Sequence, residues 1–216
     1  WQRYSLTSTA DASAVTGVGF GGFSGFSTGE EVLIWGIQLE ESAYPTSYIK
    51  TQGSTVTRNQ DQYEKTGISD KINSEEGVLF LEGEVKTDAI FAANCIGISD
   101  GTGSNRLSVI MYGNLESIRS SMVVGGVTQF DLNLGSGYSH GQYYKIAVSY
   151  KVNDCKIFIN GTKLLTDTSA TMPSIGTFDR LALDLGDSLY PFYGKVKQLQ
   201  IFKTALSDSE LATLTT

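Results

Sequence analysis

The sequence has little of what enzymes and nucleic-acid-binding proteins commonly need. It contains one histidine, two cysteines and three prolines, and its 16 lysines and arginines form no cluster beside 23 acidic residues. The formal net charge of −7 would repel a phosphate backbone, which argues against nucleic acid as a partner. No apolar run reaches the roughly 18 residues that span a bilayer, so we expect no membrane insertion.

The two cysteines, Cys95 and Cys155, are too few for a disulfide framework, and each lies in an apolar alternating stretch. We expect both to behave as small buried hydrophobic residues, with a disulfide between them as the less favoured alternative. The chain opens at Trp1 without an initiator methionine, which suggests a piece of a longer polypeptide.

The patterns that carry hydrolytic chemistry are missing. Glycoside hydrolysis needs two carboxylates that face one cleft, and the nearest acidic pairs are Glu82 with Glu84 and Asp184 with Asp187. We interpret these as solvent-face strand and turn residues. His140 lies in a turn without a cysteine or acidic partner, so it completes neither a catalytic triad nor a zinc site. The sequence therefore predicts a protein that is not an enzyme.

What the sequence does contain is a series of short runs in which apolar and polar residues alternate, the pattern of half-buried strands. Turn residues that tolerate positive φ separate these runs at Asp100-Gly101, Gly125-Gly126, Asn153-Asp154 and Asn160-Gly161. The predicted strands are 78–85, 90–99, 106–112, 117–124, 127–134, 144–152, 155–165, 180–185 and 195–202. Nine closely spaced strands predict an all-β, antiparallel two-sheet sandwich.

One short helix is predicted at the end of the chain, where Ser207 and Glu210 form a capping box ahead of Leu211 and Leu214. The first 50 residues differ from the rest. Strand-like runs at 1–8 and 32–39 flank a stretch rich in glycine, serine and phenylalanine, and so few strands cannot hold a core alone. We expect the C-terminal strands of a β-sandwich or an assembly segment at 1–50, a connector at 51–62 and the main sandwich at 63–216.

Two segments carry a resemblance to a known family. Residues 194–202 (GKVKQLQIF) and 205–211 (ALSDSEL) resemble the closing strand and helix of laminin-G-like domains of the concanavalin A-like superfamily. Residues 144–150 (YKIAVSY) and 156–161 (KIFING) resemble the central hairpin of that family. The resemblance implies the same two-sheet jelly roll over the second part of the chain.

A third resemblance concerns the first part of the chain. Residues 34–41 (IWGIQLEE), 44–49 (YPTSYI) and 53–58 (GSTVTR) resemble a junction common in phage tail and bacterial surface proteins. In those proteins the junction joins a jelly roll like that of carbohydrate-binding modules to a laminin-G-like domain.

These resemblances imply a non-catalytic glycan- or receptor-binding domain at the distal end of a phage tail fibre. It would recognise a bacterial surface polysaccharide, assemble as a homotrimer and belong to the virion. The alternative is a carbohydrate-binding module or adhesin domain of a secreted, extracellular bacterial protein. A third hypothesis is an active polysaccharide lyase or hydrolase, which would depolymerise the glycan of the host.

Glycan sites combine exposed aromatic rings, which stack on sugar faces, with planar polar groups that bind hydroxyls. The candidate ligand-binding residues are Asn105, Arg106, Tyr112, Arg119, Tyr138 and Tyr190. Calcium is the one cofactor that the sequence leaves open, with plain turn chemistry as the alternative, because carboxylates near loops suit hard cations. The candidate metal ligands are Asp100, Asp184 and Asp187.

Overall fold

A computed structural model describes residues 2–6, 33–40, 45–57, 62–85, 93–112, 117–135, 137–139 and 141–216. The chain divides into two compact units, Trp1–Gln60 and Asp61–Thr216. The glycine-rich stretch at 17–29 and His140 lie outside the described residues.

In the described part of the first unit, residues 2–6, 33–40 and 45–57, no residue belongs to a strand. The strands predicted at 1–8 and 32–39 are therefore wrong for these residues. Hydrogen bonds between side chains take the place of backbone hydrogen bonds between strands in this unit. The Glu40 carboxylate accepts hydrogen bonds from Thr46 Oγ1 at 2.6 Å and from Gln38 Nε2 at 2.7 Å. Extended backbone forms a strand only where a neighbouring strand supplies the other half of each ladder bond.

Within the described residues of the second unit, eleven strands form two antiparallel sheets, which confirms the predicted two-sheet sandwich. The strands are β1 (Glu64–Lys65), β2 (Glu76–Val85), β3 (Ala93–Ser99), β4 (Arg106–Tyr112), β5 (Ile118–Val124), β6 (Val127–Asn133), β7 (Tyr144–Lys151), β8 (Cys155–Ile159), β9 (Thr162–Asp167), β10 (Arg180–Ala182) and β11 (Gly194–Phe202). The six-stranded sheet has the order β1-β10-β3-β4-β5-β6, and the five-stranded sheet has the order β11-β2-β7-β8-β9.

Two strand predictions need correction. The single strand predicted at 155–165 is in fact the hairpin of β8 and β9, because Asn160 (φ 47°) and Gly161 (φ 80°) turn the chain between them. The strand predicted at 180–185 ends at Ala182, where the chain leaves the sheet. The predicted start at 90–92 lies outside the described residues, and β3 begins at Ala93.

The main core lies between the two sheets. Along β2, Leu79, Leu81 and Val85 face this core, whereas Val78 and Phe80 point to the other side of the sheet. Both faces of β2 are therefore covered at 78–81, which explains why the sequence there is apolar without alternation.

Neither cysteine forms a disulfide, and both are completely buried, as predicted. Burial raises the pKa of Cys95 to about 12 and that of Cys155 to about 11. At neutral pH both groups are therefore protonated thiols with little nucleophilic character.

The C-terminal helix α1 (Asp208–Leu214) covers the outer face of the five-stranded sheet. Its capping box is formed as predicted, since Ser207 N donates to Glu210 Oε2 at 2.8 Å and Glu210 N donates to Ser207 Oγ at 3.4 Å. Leu211 is fully buried against Val78 and Phe80 of the sheet, so the helix packs on the sandwich through this side chain. No helix in the described ranges is long and apolar enough to cross a membrane.

The helix contact predicts a large stability effect for one aliphatic side chain. Replacing Leu211 by alanine should lower the free energy of unfolding by about 2–5 kcal/mol, because the substitution leaves a cavity under α1. Ile175→Ala is the matched control, since Ile175 is 71% exposed. Urea unfolding of both variants measures the difference, and equal midpoints would contradict the packing role of the helix.

Candidate functional site

The outer face of the six-stranded sheet is crossed by a loop, residues 183–192, which we call the cover loop. Its ends meet where Phe192 N donates to Leu183 O at 2.9 Å, and Leu185 N donates to Leu189 O at 2.8 Å within it. Serine hydroxyls of the sheet hold it down: Ser99 Oγ donates to Gly186 O at 2.6 Å and Ser108 Oγ donates to Leu185 O at 2.8 Å. The loop is therefore seated on β3 and β4.

Gly97 permits this close approach. A Cβ atom at Gly97 would lie 3.1 Å from Leu185 O and 3.2 Å from Asp184 O. Any larger residue at this position would push the loop away from β3. The cover loop explains why β3 is buried along its whole length, with the core on one side and the loop on the other.

A buried arginine anchors the start of the loop. The Arg180 side chain, only 7% exposed, donates to Asp184 Oδ1 at 2.9 Å and Oδ2 at 2.5 Å, and its Nε donates to Glu64 Oε2 at 3.0 Å. The hydrogen bonds to Asp184 raise the pKa of Arg180 further. Asp184 Oδ1 also accepts from Gly186 N at 2.7 Å, so one carboxylate fixes both the arginine and the loop backbone.

The far end of the cover loop presents Tyr190. Its carbonyl accepts a hydrogen bond from Cys95 N at 3.2 Å, and its side chain is 49% exposed. Tyr190 (φ 53°) and Ser188 (φ 68°) both lie in the left-handed region, which is unfavourable for residues with a Cβ atom. Such strain persists only where the surroundings impose it, and it concentrates at ligand-contacting segments.

Beyond the loop, the outer face carries a polar network formed by Tyr112, Arg119 and Asp131. The Arg119 guanidinium binds both carboxylate oxygens of Asp131 through Nε and Nη2, and its Nη1 donates to the Tyr112 hydroxyl at 3.1 Å. The hydrogen bonds to Asp131 raise the pKa of Arg119, so the guanidinium stays charged throughout the physiological range. We call these three residues the outer-face network.

A β-bulge in the pairing of β5 with β6 brings Asp131 onto the same face as Arg119. A regular two-residue turn at Gly125-Gly126 would pair Asp131 with Ser120, whose side chain faces the core. The register shift between Met122 and Val123 instead places Asp131 opposite Ser121 and Asn133 opposite Arg119. The carboxylate therefore points to the same face as the guanidinium.

The remaining predicted ligand residues are not part of this network. Tyr138 packs beside the core, with its ring 5.3 Å from that of Tyr144 in an edge-to-face contact. A cavity of about 20 Å³ lies between Tyr138, Tyr144 and Tyr112, which is room for a water molecule and too small for a sugar ring. Burial raises the pKa of Tyr138, in keeping with a structural position.

Asn105 and Asp100 hold the β3–β4 turn together. Asn105 Nδ2 donates to Asp100 Oδ2 at 2.7 Å, and Gly125 N donates to Asn105 Oδ1 at 2.8 Å. Hydrogen bonds from Thr102 and Asn105 outweigh the opposing effect of burial and lower the pKa of Asp100. Arg106 shares the outer face, where its Nη1 donates to Gly103 O at 2.5 Å. Asn105 thus has a structural role, and Arg106 starts the strand that Tyr112 ends.

The candidate calcium ligands do not converge. Both oxygens of Asp184 are engaged by Arg180, and Asp187 Oδ1 accepts from Leu189 N at 3.2 Å within the loop. Among the residues that the structure describes, no group of three or more His, Cys, Asp or Glu side chains could hold a metal ion. Asp184 is therefore a structural residue and is not available to calcium.

The acidic pair on β2 is also occupied. Glu82 and Glu84 alternate onto the outer face of the five-stranded sheet, where Glu82 contacts Lys197 at 3.2 Å and Glu84 contacts Lys195 at 3.2 Å. The prediction that Glu84 faces solvent is wrong. Glu84 is buried, because the edge strand β11 lies beside it. Each carboxylate therefore serves an ion pair between neighbouring strands.

Two antiparallel sheets that enclose one core define a β-sandwich. The chain belongs to the Concanavalin A-like lectin/glucanases superfamily, whose Laminin_G_3 family model matches residues 82–212. A comparison with curated protein sequences found no significant match.

Solved structures with the same fold include several carbohydrate-binding domains. The IT-sialidase CBM40 of Ruminococcus gnavus bound to α2,3 sialyllactose is 20% identical, with 68% of this chain and 85% of that chain covered and a TM-score of 0.57. Domain 4 of AbnA, an extracellular GH43 arabinanase from Geobacillus stearothermophilus in complex with arabinotriose, is 17% identical, with 67% and 68% covered and a TM-score of 0.55. At these identities the likeness concerns the fold.

The backbone at Tyr190 predicts an unusual order of stabilities. Tyr190→Gly should be more stable than Tyr190→Ala by about 1 kcal/mol, because only glycine adopts positive φ without a steric cost. Chemical unfolding of the two variants measures the order. The control is the same pair of substitutions at Leu164, in strand β9, where alanine should be the more stable variant. Equal or reversed stabilities at 190 would show that the loop carries no strain there.

Proposed function

We propose that the sandwich binds a bacterial surface glycan without cleaving it, through the outer face of its six-stranded sheet. The observation that carries the proposal is the outer-face network. Arg119 and Asp131 keep 33% and 38% of their side chains exposed, whereas Ile110 and Ser121 beside them are buried. The network is therefore a polar feature of this face that a ligand can reach.

The chemistry of these groups suits a saccharide. A sugar hydroxyl donates one hydrogen bond and accepts others, and the network offers carboxylate acceptors beside guanidinium donors and a tyrosine hydroxyl. Because each group is already held by its neighbour, little side-chain freedom is lost when the ligand arrives. Tyr190 supplies an exposed ring on the same side of the sheet, available to stack on a sugar face.

The absence of cleavage is part of the proposal. Asp131 is bound by Arg119, and the Glu82 and Glu84 carboxylates are bound by lysines. Glycoside hydrolysis needs two carboxylates that flank one bond, and Asp131 lies in the six-stranded sheet whereas Glu82 and Glu84 lie in the five-stranded sheet. The likeness to a carbohydrate-binding module of a sialidase points in the same direction.

As its biological setting we propose the distal end of a phage tail fibre, where the domain would attach the virion to its host as part of a homotrimer. The junction-like sequence at 34–58 supports this setting. The second candidate is a carbohydrate-binding module or adhesin domain of a secreted bacterial protein. The shared fold with the R. gnavus and G. stearothermophilus domains favours that candidate.

Glycan binding is tested with an array of bacterial surface polysaccharides and oligosaccharides. The wild-type chain should bind a subset, and Arg119→Ala should weaken binding at least about tenfold, the size expected for hydrogen bonds that involve a charged group. Lys163→Ala is the matched control, because Lys163 forms an exposed ion pair with Asp208 of α1, on the other side of the sandwich.

Two results would contradict this proposal. Equal binding by the Arg119 and Lys163 variants would place the ligand elsewhere. The appearance of shorter oligosaccharides during prolonged incubation with a bound polysaccharide would instead show a hydrolase or lyase.

The trimer is tested by the mass of the chain in solution. Leu6, Leu33 and Leu39 of the first unit are 94%, 78% and 81% exposed, and exposed apolar residues of this kind favour an interface between subunits. Light scattering should give a trimer for residues 1–216 and a monomer for residues 62–216. Two monomers would contradict assembly, and two trimers would assign it to the sandwich.

A further inference from the structure

We infer that the outer-face network selects neutral, hydroxyl-rich saccharides over acidic ones. This inference rests on the proposed function and names the class of ligand for the same site. Its basis is that the cation of the network, Arg119, with about a third of its side chain exposed, is already paired with a carboxylate of this chain.

The donors of Arg119 can be counted. A guanidinium has five N–H groups, and three of those in Arg119 bind the two oxygens of Asp131 and the hydroxyl of Tyr112. The remaining N–H groups can bind hydroxyl oxygens. A ligand carboxylate would have to approach within a few ångströms of Asp131, or displace it from the bidentate contact that suits a guanidinium best. Both routes are unfavourable for an acidic sugar.

Among the described residues, the other arginines of this face do not supply a free cation beside the network. Arg180 is closed off by Asp184 and Glu64. Arg106 lies at the opposite end of β4 from Tyr112, about 20 Å away at the rise of an extended strand. Arg106 also has a carboxylate near it. A Cβ atom added at Gly103 would lie 3.1 Å from Arg106 Nη1 and 3.1 Å from Asp187 Oδ2, so these two charged groups are close to each other.

Long-range electrostatics add to the local effect. The chain carries a formal net charge of −7, which lowers the local concentration of anionic glycans around it. A neutral saccharide meets no such barrier. Its hydroxyls can donate to Asp131 and accept from Arg119 while the ion pair stays intact.

The experiment compares matched ligands on one protein. The probes are neutral oligosaccharides, the same oligosaccharides carrying a terminal sialic or uronic acid, and the methyl esters of those acids. We expect the wild-type chain to bind the neutral form at least about tenfold more tightly than the acid, with the methyl ester close to the neutral form. Titration calorimetry at low ionic strength measures each affinity.

Asp131→Asn provides the matched variant, because it removes the carboxylate and leaves Arg119 charged. Discrimination against the acidic ligand should fall by about tenfold in this variant. Asp70→Asn is the control with the same change of net charge, since Asp70 forms an exposed pair with Lys71 away from the sheet face. Asp131→Ser gives a second route to the same result, and melting curves show that each variant is folded.

Each outcome bears on one claim. Neutral selectivity that is lost in both Asp131 variants and kept in Asp70→Asn supports the inference. Tighter binding of acidic ligands by the wild-type chain, or selectivity unchanged in the folded Asp131 variants, overturns the inference while glycan binding stands. Failure of the wild-type chain to bind any oligosaccharide or polysaccharide overturns the proposed function itself.

Discussion

Arg180 imposes the constraint on which the outer face of the six-stranded sheet depends. A guanidinium that is only 7% exposed must be paired, because an isolated buried charge is very costly. Asp184 meets this requirement and at the same time binds the backbone of Gly186, so the chain that leaves β10 is turned back over the sheet. This ion pair acts together with the hydroxyls of Ser99 and Ser108 and with the absence of a side chain at Gly97 to seat the cover loop on β3.

Most of the sandwich could be predicted from the sequence, because alternation and turn chemistry are local properties. Gly125-Gly126 and Asn160-Gly161 adopt the positive φ angles that their composition requires, and the capping box of α1 is formed by Ser207 and Glu210. Long-range pairing could not be predicted in this way. β1 has two residues and exists only because β10 lies beside it, and the cover loop is defined by contacts with strands about 90 residues earlier in the chain.

The candidate site was predictable in part. Tyr112 and Arg119 were identified as an exposed aromatic and a planar polar group, and the structure joins them by a hydrogen bond. Asp131 was missed because its face depends on a one-residue bulge in β5 and β6, which alternation along a single strand does not reveal. Tyr138 and Asn105 have the residue types of a glycan site, yet their contacts are those of the core edge and of a turn.

The position of the last helix has a practical consequence. Helix α1 occupies the outer face of the five-stranded sheet, and the carbonyl of Thr216 accepts a hydrogen bond from Lys145 on that same face. The side chain of Arg119 points the opposite way, beyond two sheets that typically stack about 10 Å apart. A sandwich immobilised through its C-terminus would therefore expose its polar network to the medium. A fluorescent protein fused to the C-terminus would not block access to the network.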